Sequence, residues 1–180
     1  MRQFGRSMKF SKFESSLYVY LSEVLGSEKP LQAFEIPNGY RAGYFQVGED
    51  IDPINLIFSF PLESDDCYLT FSDGDAKKIS LELASVQSYN EKTAHLCSMH
   101  TVKTQNCYFN DHSWIALLIT IPAMALDDLP SIAIVGNREL RFHLVVPLNE
   151  THYGIKLENG YDALLDYFEN TNRDIVAFDA

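Results

Sequence analysis

Apolar residues recur at spacings of three and four between Phe10 and Leu25: Phe10, Phe13, Leu17, Leu21, Val24 and Leu25. That period gathers them on one helical face. Ser11 with Glu14 three residues later predicts a capping box, and Gly26 and Pro30 predict the stop. The period then changes. Leu31–Ile36 is a short apolar run, Pro37-Asn38-Gly39 signals a turn, and Tyr40–Val47 alternates. Ile54–Phe60 reads as a buried strand ended by Pro61, and Cys67–Phe71 as another, closed by Ser72-Asp73-Gly74-Asp75. Ile79, Leu81 and Leu83 alternate with Ser80, Glu82 and Ala84, which predicts a half-buried strand.

From Val86 to Asp111 the pattern blurs; Tyr89–Cys97 admits a helix with no convincing face. The β-branched residues of Trp114–Ile121 and the following Pro122 favour a buried strand there. Ile132–Val135 and Leu140–Val146 pair as a hairpin around residues 136–139. Pro147 is expected to stop the second strand, and Asn149 to cap a short helix through Leu157. Asn159-Gly160 breaks that helix, and Tyr161, Leu164, Leu165 and Phe168 form the apolar face of another. Ile175–Phe178 is expected to close as a strand. Strands that run consecutively between terminal helices predict an α+β fold. Its central sheet is mixed or antiparallel, with helices at both termini packed on it as an α/β sandwich. A length of 180 residues fits one domain spanning residues 1–180.

Charge adds a partner preference. Lys and Arg number 14 against 25 Asp and Glu, for a net charge of −11. Nucleic acid and anionic membranes repel such a chain, while a basic protein is steered toward it. The first twelve residues run the other way, with Arg2, Arg6, Lys9, Lys12 and no acid. No apolar run has the length of a secretory signal or a membrane span. Three cysteines and no export signal predict reduced thiols and a cytoplasmic location.

Nucleotide and hydrolase motifs are absent: there is no GxxxxGK[ST], GxGxxG or GxSxG. His95, Cys97, His100 and Cys107 carry donors that suit zinc, but their spacing matches no standard finger. The expectation is buried small cysteines and partly exposed histidines, with neither metal nor cofactor. A thiol nucleophile needs a base beside it and a depressed pKa; pairing of Cys67, Cys97 or Cys107 with one of the five histidines stays open, while the flanks of Cys67 and Cys107 place no helix N-terminus or cation next to the sulfur. The paired acids Asp65-Asp66 and Asp127-Asp128, with Asp73 and Asp75, read as solvated surface. Asp65, Asp66, Asp127 and Asp128 are the candidate contacts for a basic partner. Tyr40, Tyr44, Tyr89 and Tyr108 lie near loops or strand ends and are read as core.

Leu140-Arg141-Phe142-His143-Leu144-Val145-Val146-Pro147-Leu148-Asn149-Glu150, leading into Gly160-Tyr161-Asp162-Ala163-Leu164-Leu165, resembles the suppressor of fused-like domain family. In that family an apolar strand ends in a Val-Pro-Ile/Leu step and an acid, then a Gly-x-x-Ala-Leu-Leu helix. Leu69-Thr70-Phe71-Ser72-Asp73-Gly74 followed by Ile79-Ser80-Leu81-Glu82-Leu83 is similar to the family's strand, glycine turn and acidic strand. The resemblance implies a non-catalytic protein-binding module. In animals the domain sequesters a transcription factor. The short bacterial type implies an immunity or antitoxin protein that neutralises a basic toxin by direct binding. The family offers no catalytic residues to carry over. The alternative is a small intracellular enzyme using a cysteine and histidine, or paired carboxylates, in a cleft.

Overall fold

The computed structural model describes residues 9–47, 51, 53–126 and 128–179. Helix α1 spans Lys12–Leu25 and begins with the expected box: Ser11 Oγ accepts from the Glu14 N–H, and Glu14 accepts from the Ser11 N–H. Four strands follow: β1 (Gln32–Glu35), β2 (Arg41–Gln46), β3 (Asn55–Phe60) and β4 (Asp66–Ser72). Each pairs antiparallel with its neighbour, because short turns can only return a chain antiparallel.

The chain then departs from its alternating pattern. Residues 76–92 form helix α2 (Ala76–Lys92), not a strand. Asp75 caps it by accepting from the Lys78 N–H. Its buried face runs through Ala76, Ile79, Ser80, Leu83, Gln87 and Asn90, a helical period in which polar residues fill apolar positions. Leu81, which completed the apparent alternation, is only partly buried. The helix covers the start of Tyr89–Cys97 but stops at Lys92.

Beyond it come β5 (Thr101–Lys103), helix α3 (Cys107–Asp111), β6 (Ala116–Thr120), a 3-10 turn (Pro122–Met124), β7 (Ile132–Val135), β8 (Arg138–Leu148), α4 (Glu150–Asn159) and α5 (Tyr161–Asn170). β5 and α3 lie in the stretch where no pattern was legible. β8 continues through Pro147 to Leu148, and Asn149 caps α4. Residues 175–178 bend at Ile175 and Val176 and lie outside the sheet, correcting the expected closing strand.

Among the described residues eight strands make one mixed sheet in the order β1-β2-β3-β4-β8-β6-β5, with β7 also on β8. β4 and β8 form the parallel pair. The long β8 receives β7 along its first half and β6 along its second. Leu17 and Leu21 of α1 and Leu164 and Phe168 of α5 bury one face, against Phe58, Phe142, Leu144 and Val146. Ile79 and Leu83 of α2 bury the other, against Ile57, Tyr68 and Val145. The terminal helices and α2 thus sandwich the sheet, as an α+β chain requires.

Candidate functional site

Helix α2 covers only part of its face of the sheet, lying over β1 to β4. The β7–β8 hairpin extends past it. Ala133 and Val135 of β7 point into the α1 side, so the alternation of a strand turns Ile132 and Ile134 outward on the α2 side. They are 55% and 65% exposed. Arg141 is the register partner of Ile132, and Glu139 that of Ile134. Ile121, two residues past the inward-facing Ile119 on an extended backbone, follows the same parity and is also exposed.

Beside this apolar row lies a charged cluster. Asp66 opens β4 directly opposite Arg141 across the parallel ladder. Its carboxylate accepts from Arg141 Nε at 2.9 Å and Nη2 at 3.1 Å, and from His143 Nε2 at 2.8 Å. His95 Nδ1 is 3.8 Å away at the rim. Asp66 is 1% exposed, whereas Arg141 is half in water. Burial alone would raise the Asp66 pKa, but the His143 and Arg141 hydrogen bonds outweigh it and bring it to about 2. The His143 ring stacks on Tyr68 at 5.3 Å, and the Tyr68 hydroxyl donates to the Leu96 carbonyl.

Asp66 owes its position to Glu91 of α2. The Glu91 carboxylate accepts from the N–H groups of Leu62, Glu63 and Ser64 at 3.1, 3.0 and 3.2 Å. The Ser64 and Tyr40 hydroxyls and the Gln87 amide also donate to it. Burial opposes ionisation here, yet these donors hold the Glu91 pKa below the usual carboxylate value. One side chain thereby fixes the β3–β4 turn that delivers Asp65 and Asp66. Neither Glu91 nor Arg141 was a candidate from the sequence. A buried Gln-x-x-x-Glu step on a recognised helix would have been the signal.

The sequence-predicted residues fare differently. Asp65 is exposed and meets Arg138 at 3.1 Å. Asp66 is buried, not solvated, and in this arrangement presents no surface to a partner. Asp128 is exposed, and Asp127 lies outside the described residues. Asp75 serves as the α2 cap. Tyr40 is buried and Tyr89 is exposed rather than core.

Cys97 is partly exposed, with its Sγ 3.7–3.8 Å from the His100 ring nitrogens. Cys107 is exposed, not buried. It opens α3, whose cap Asn106 accepts from the Tyr108 N–H, so a helix N-terminus does adjoin it. Cys67 is buried, and desolvation pushes its thiol pKa far up. Among the described residues no group of three or more His, Cys, Asp or Glu is placed to hold a metal. No helix among them is long and apolar enough to cross a membrane.

No protein-family model matches the chain, and no curated protein does. Solved structures do. A SUFU (suppressor of fused protein) homologue from Neisseria gonorrhoeae FA 1090 superimposes with a TM-score of 0.69 at 14% identity, over 93% of this chain and 94% of that one. The Sufu–Fu complex structure matches with a TM-score of 0.61 at 10% identity, over 92% of this chain and 89% of that one. Drosophila Suppressor of Fused matches with a TM-score of 0.53 at 12% identity, over 86% of this chain but 43% of its own length. The expected resemblance is thus met at the level of architecture: this chain has a suppressor of fused-like fold.

Proposed function

We propose that this protein is a non-catalytic binding module that grips another protein through the open face beside Asp66, Arg141 and His143. The observation that carries the reading is the row of exposed isoleucines, Ile121, Ile132 and Ile134, next to a half-exposed guanidinium. Single exposed apolar residues are ordinary, but grouped ones around an arginine have the make-up of an interface centre. The Sufu–Fu complex supports a protein partner, since a chain of the same fold there binds another protein.

The partner is basic. Asp65 and Glu139 are exposed at the hairpin, Asp128 is exposed four residues before it in the sequence, and the chain carries −11 overall. Such a surface speeds encounter with a positive protein and rejects acidic ones. The best fit is an immunity-type role, in which a cytoplasmic protein neutralises a basic toxin by covering it.

The test is co-expression with basic proteins encoded beside this gene, scoring survival and purifying any complex. The wild type is expected to protect and to co-purify at a fixed ratio. Ile132→Asp and Ile134→Asp variants, which leave the core intact, are expected to lose both. Protection that survives those variants would move the site elsewhere. Binding without protection would retain the module and reject the antitoxin role.

A further inference from the structure

Residues 174–179 form no strand, yet they are held as a bound peptide would be. Asp73, in the turn between β4 and α2, grips them twice. Its N–H donates to the Val176 carbonyl at 3.3 Å, and its Oδ1 accepts from the Phe178 N–H at 2.7 Å. Trp114 Nε1 donates to the Phe178 carbonyl. The Phe178 side chain is 4% exposed. Tyr108 stacks on its ring at 4.8 Å, while Phe109 and His112 meet it edge-on at 5.1 and 5.0 Å. Gly74 makes the room, since a Cβ there would lie 2.7 Å from Phe178 Cγ. The next residue, Asp179, places its carboxylate 3.6 Å from His112 Nε2.

The walls of this slot are secured without the segment. Asp75 caps α2, Asn106 caps α3, and β6, just after Trp114, is laddered to β8. The segment is shaped by its own Asp174, whose Oδ1 accepts from the Val176 and Ala177 N–H groups. It packs over Ile79, Leu83 and Leu117, and the space left between them is no larger than a single water. Backbone hydrogen bonds plus a pocket for one side chain are how grooves read peptides.

We infer that this slot is a peptide-binding site holding the chain's own residues 174–179. It takes a peptide that turns as this segment does and presents an aromatic residue followed by an acid when that segment lets go. The site is built by the β4–α2 turn, α3 and Trp114, and does not depend on the isoleucine face.

The test uses the full chain, wild type and Phe178→Ala, titrated with a synthetic peptide of residues 173–179. Trp114 is the only tryptophan, so its fluorescence reports the slot directly. The variant is expected to bind the peptide at least tenfold more tightly than the wild type, whose own segment competes. A peptide with alanine for the phenylalanine is expected to bind at least tenfold more weakly. Equal binding by both chains, or no saturable change in a natively folded variant, overturns the proposal. If the variant does not fold, hydrogen exchange on the wild type decides. The Phe178 amide must exchange at least tenfold faster than those of Leu69 and Leu144; equal protection makes the segment part of the core and overturns the proposal.

Discussion

Asp66 and Arg141, 75 residues apart in sequence, face each other across the parallel β4–β8 ladder and close a two-pronged ion pair. The pair is lopsided, because the carboxylate is buried and the guanidinium is half in water. Removing the anion strips His143 of its partner as well. Removing the cation leaves Asp66 with His143.

The two truncations should therefore differ. Asp66→Ala is expected to cost about 2 kcal/mol, within the range for leaving a buried hydrogen-bonding group, here His143, unsatisfied, while Arg141 turns to water. Arg141→Ala is expected to cost about 3 kcal/mol, near the lower bound for breaking a buried pair, because it leaves the buried Asp66 carboxylate without its guanidinium. Urea unfolding of both variants checks this. A loss for Arg141→Ala well below that for Asp66→Ala would contradict the pair as described.

Acid should unfold the protein in two windows. Burial, with Arg173 nearby, lowers the His152 pKa from 6.5 to about 4. The unfolded chain thus takes up that proton before the folded one, and stability falls as pH drops from 6.5 toward 4. Asp66 is lowered from 3.8 to about 2, so its contribution is full above 3.8 and is lost as pH falls through 2. In stability measured against pH, His152→Phe is expected to flatten the upper window and leave the lower one.

Glu91→Gln keeps the shape of the side chain and removes its charge. Hydrogen bonds to a charged group contribute about 1.5–3 kcal/mol each, and several converge here. A loss of about 2 kcal/mol is expected, with hydrogen exchange accelerating first at the Leu62, Glu63 and Ser64 amides. Uniform acceleration across the sheet would show that Glu91 does not act through the turn.

Gly74→Ala should drive Phe178 from its slot, since the added methyl lies within 2.8 Å of two of its carbons. Overpacking of this kind costs about 1–3 kcal/mol. Trp114 fluorescence is expected to shift with little change in far-UV circular dichroism. An unchanged spectrum would place Phe178 elsewhere.

Local order was legible where a single segment carries its own reason. The capping box of α1, the β7–β8 hairpin and the apolar face of α5 each rest on residues a few positions apart. β1 to β4 were legible for the same cause, since each returns on its neighbour through a short connection. Together with the consecutive strands these fixed an α+β class, and composition fixed the negative charge. The candidate site was legible only in part: Asp65 and Asp66 stood out as acids, but not what holds them.

The rest depended on contacts across long stretches of chain. Ile79, Leu81 and Leu83 fit two periods at once. Helix α2 prevails because Ser80, Gln87 and Asn90 are buried on its inner face, where Gln87 bonds to Ser59 and Glu91 and Asn90 accepts from the Leu96 N–H. Asp66 reads as a surface acid until β8 arrives beside it with Arg141 and His143. Phe178 reads as a strand residue until Asp73, 105 positions away, claims its backbone. A buried charge or a buried backbone polar group is stable only with its partner in place. The sequence states which groups need partners; the tertiary fold alone decides which partners they receive.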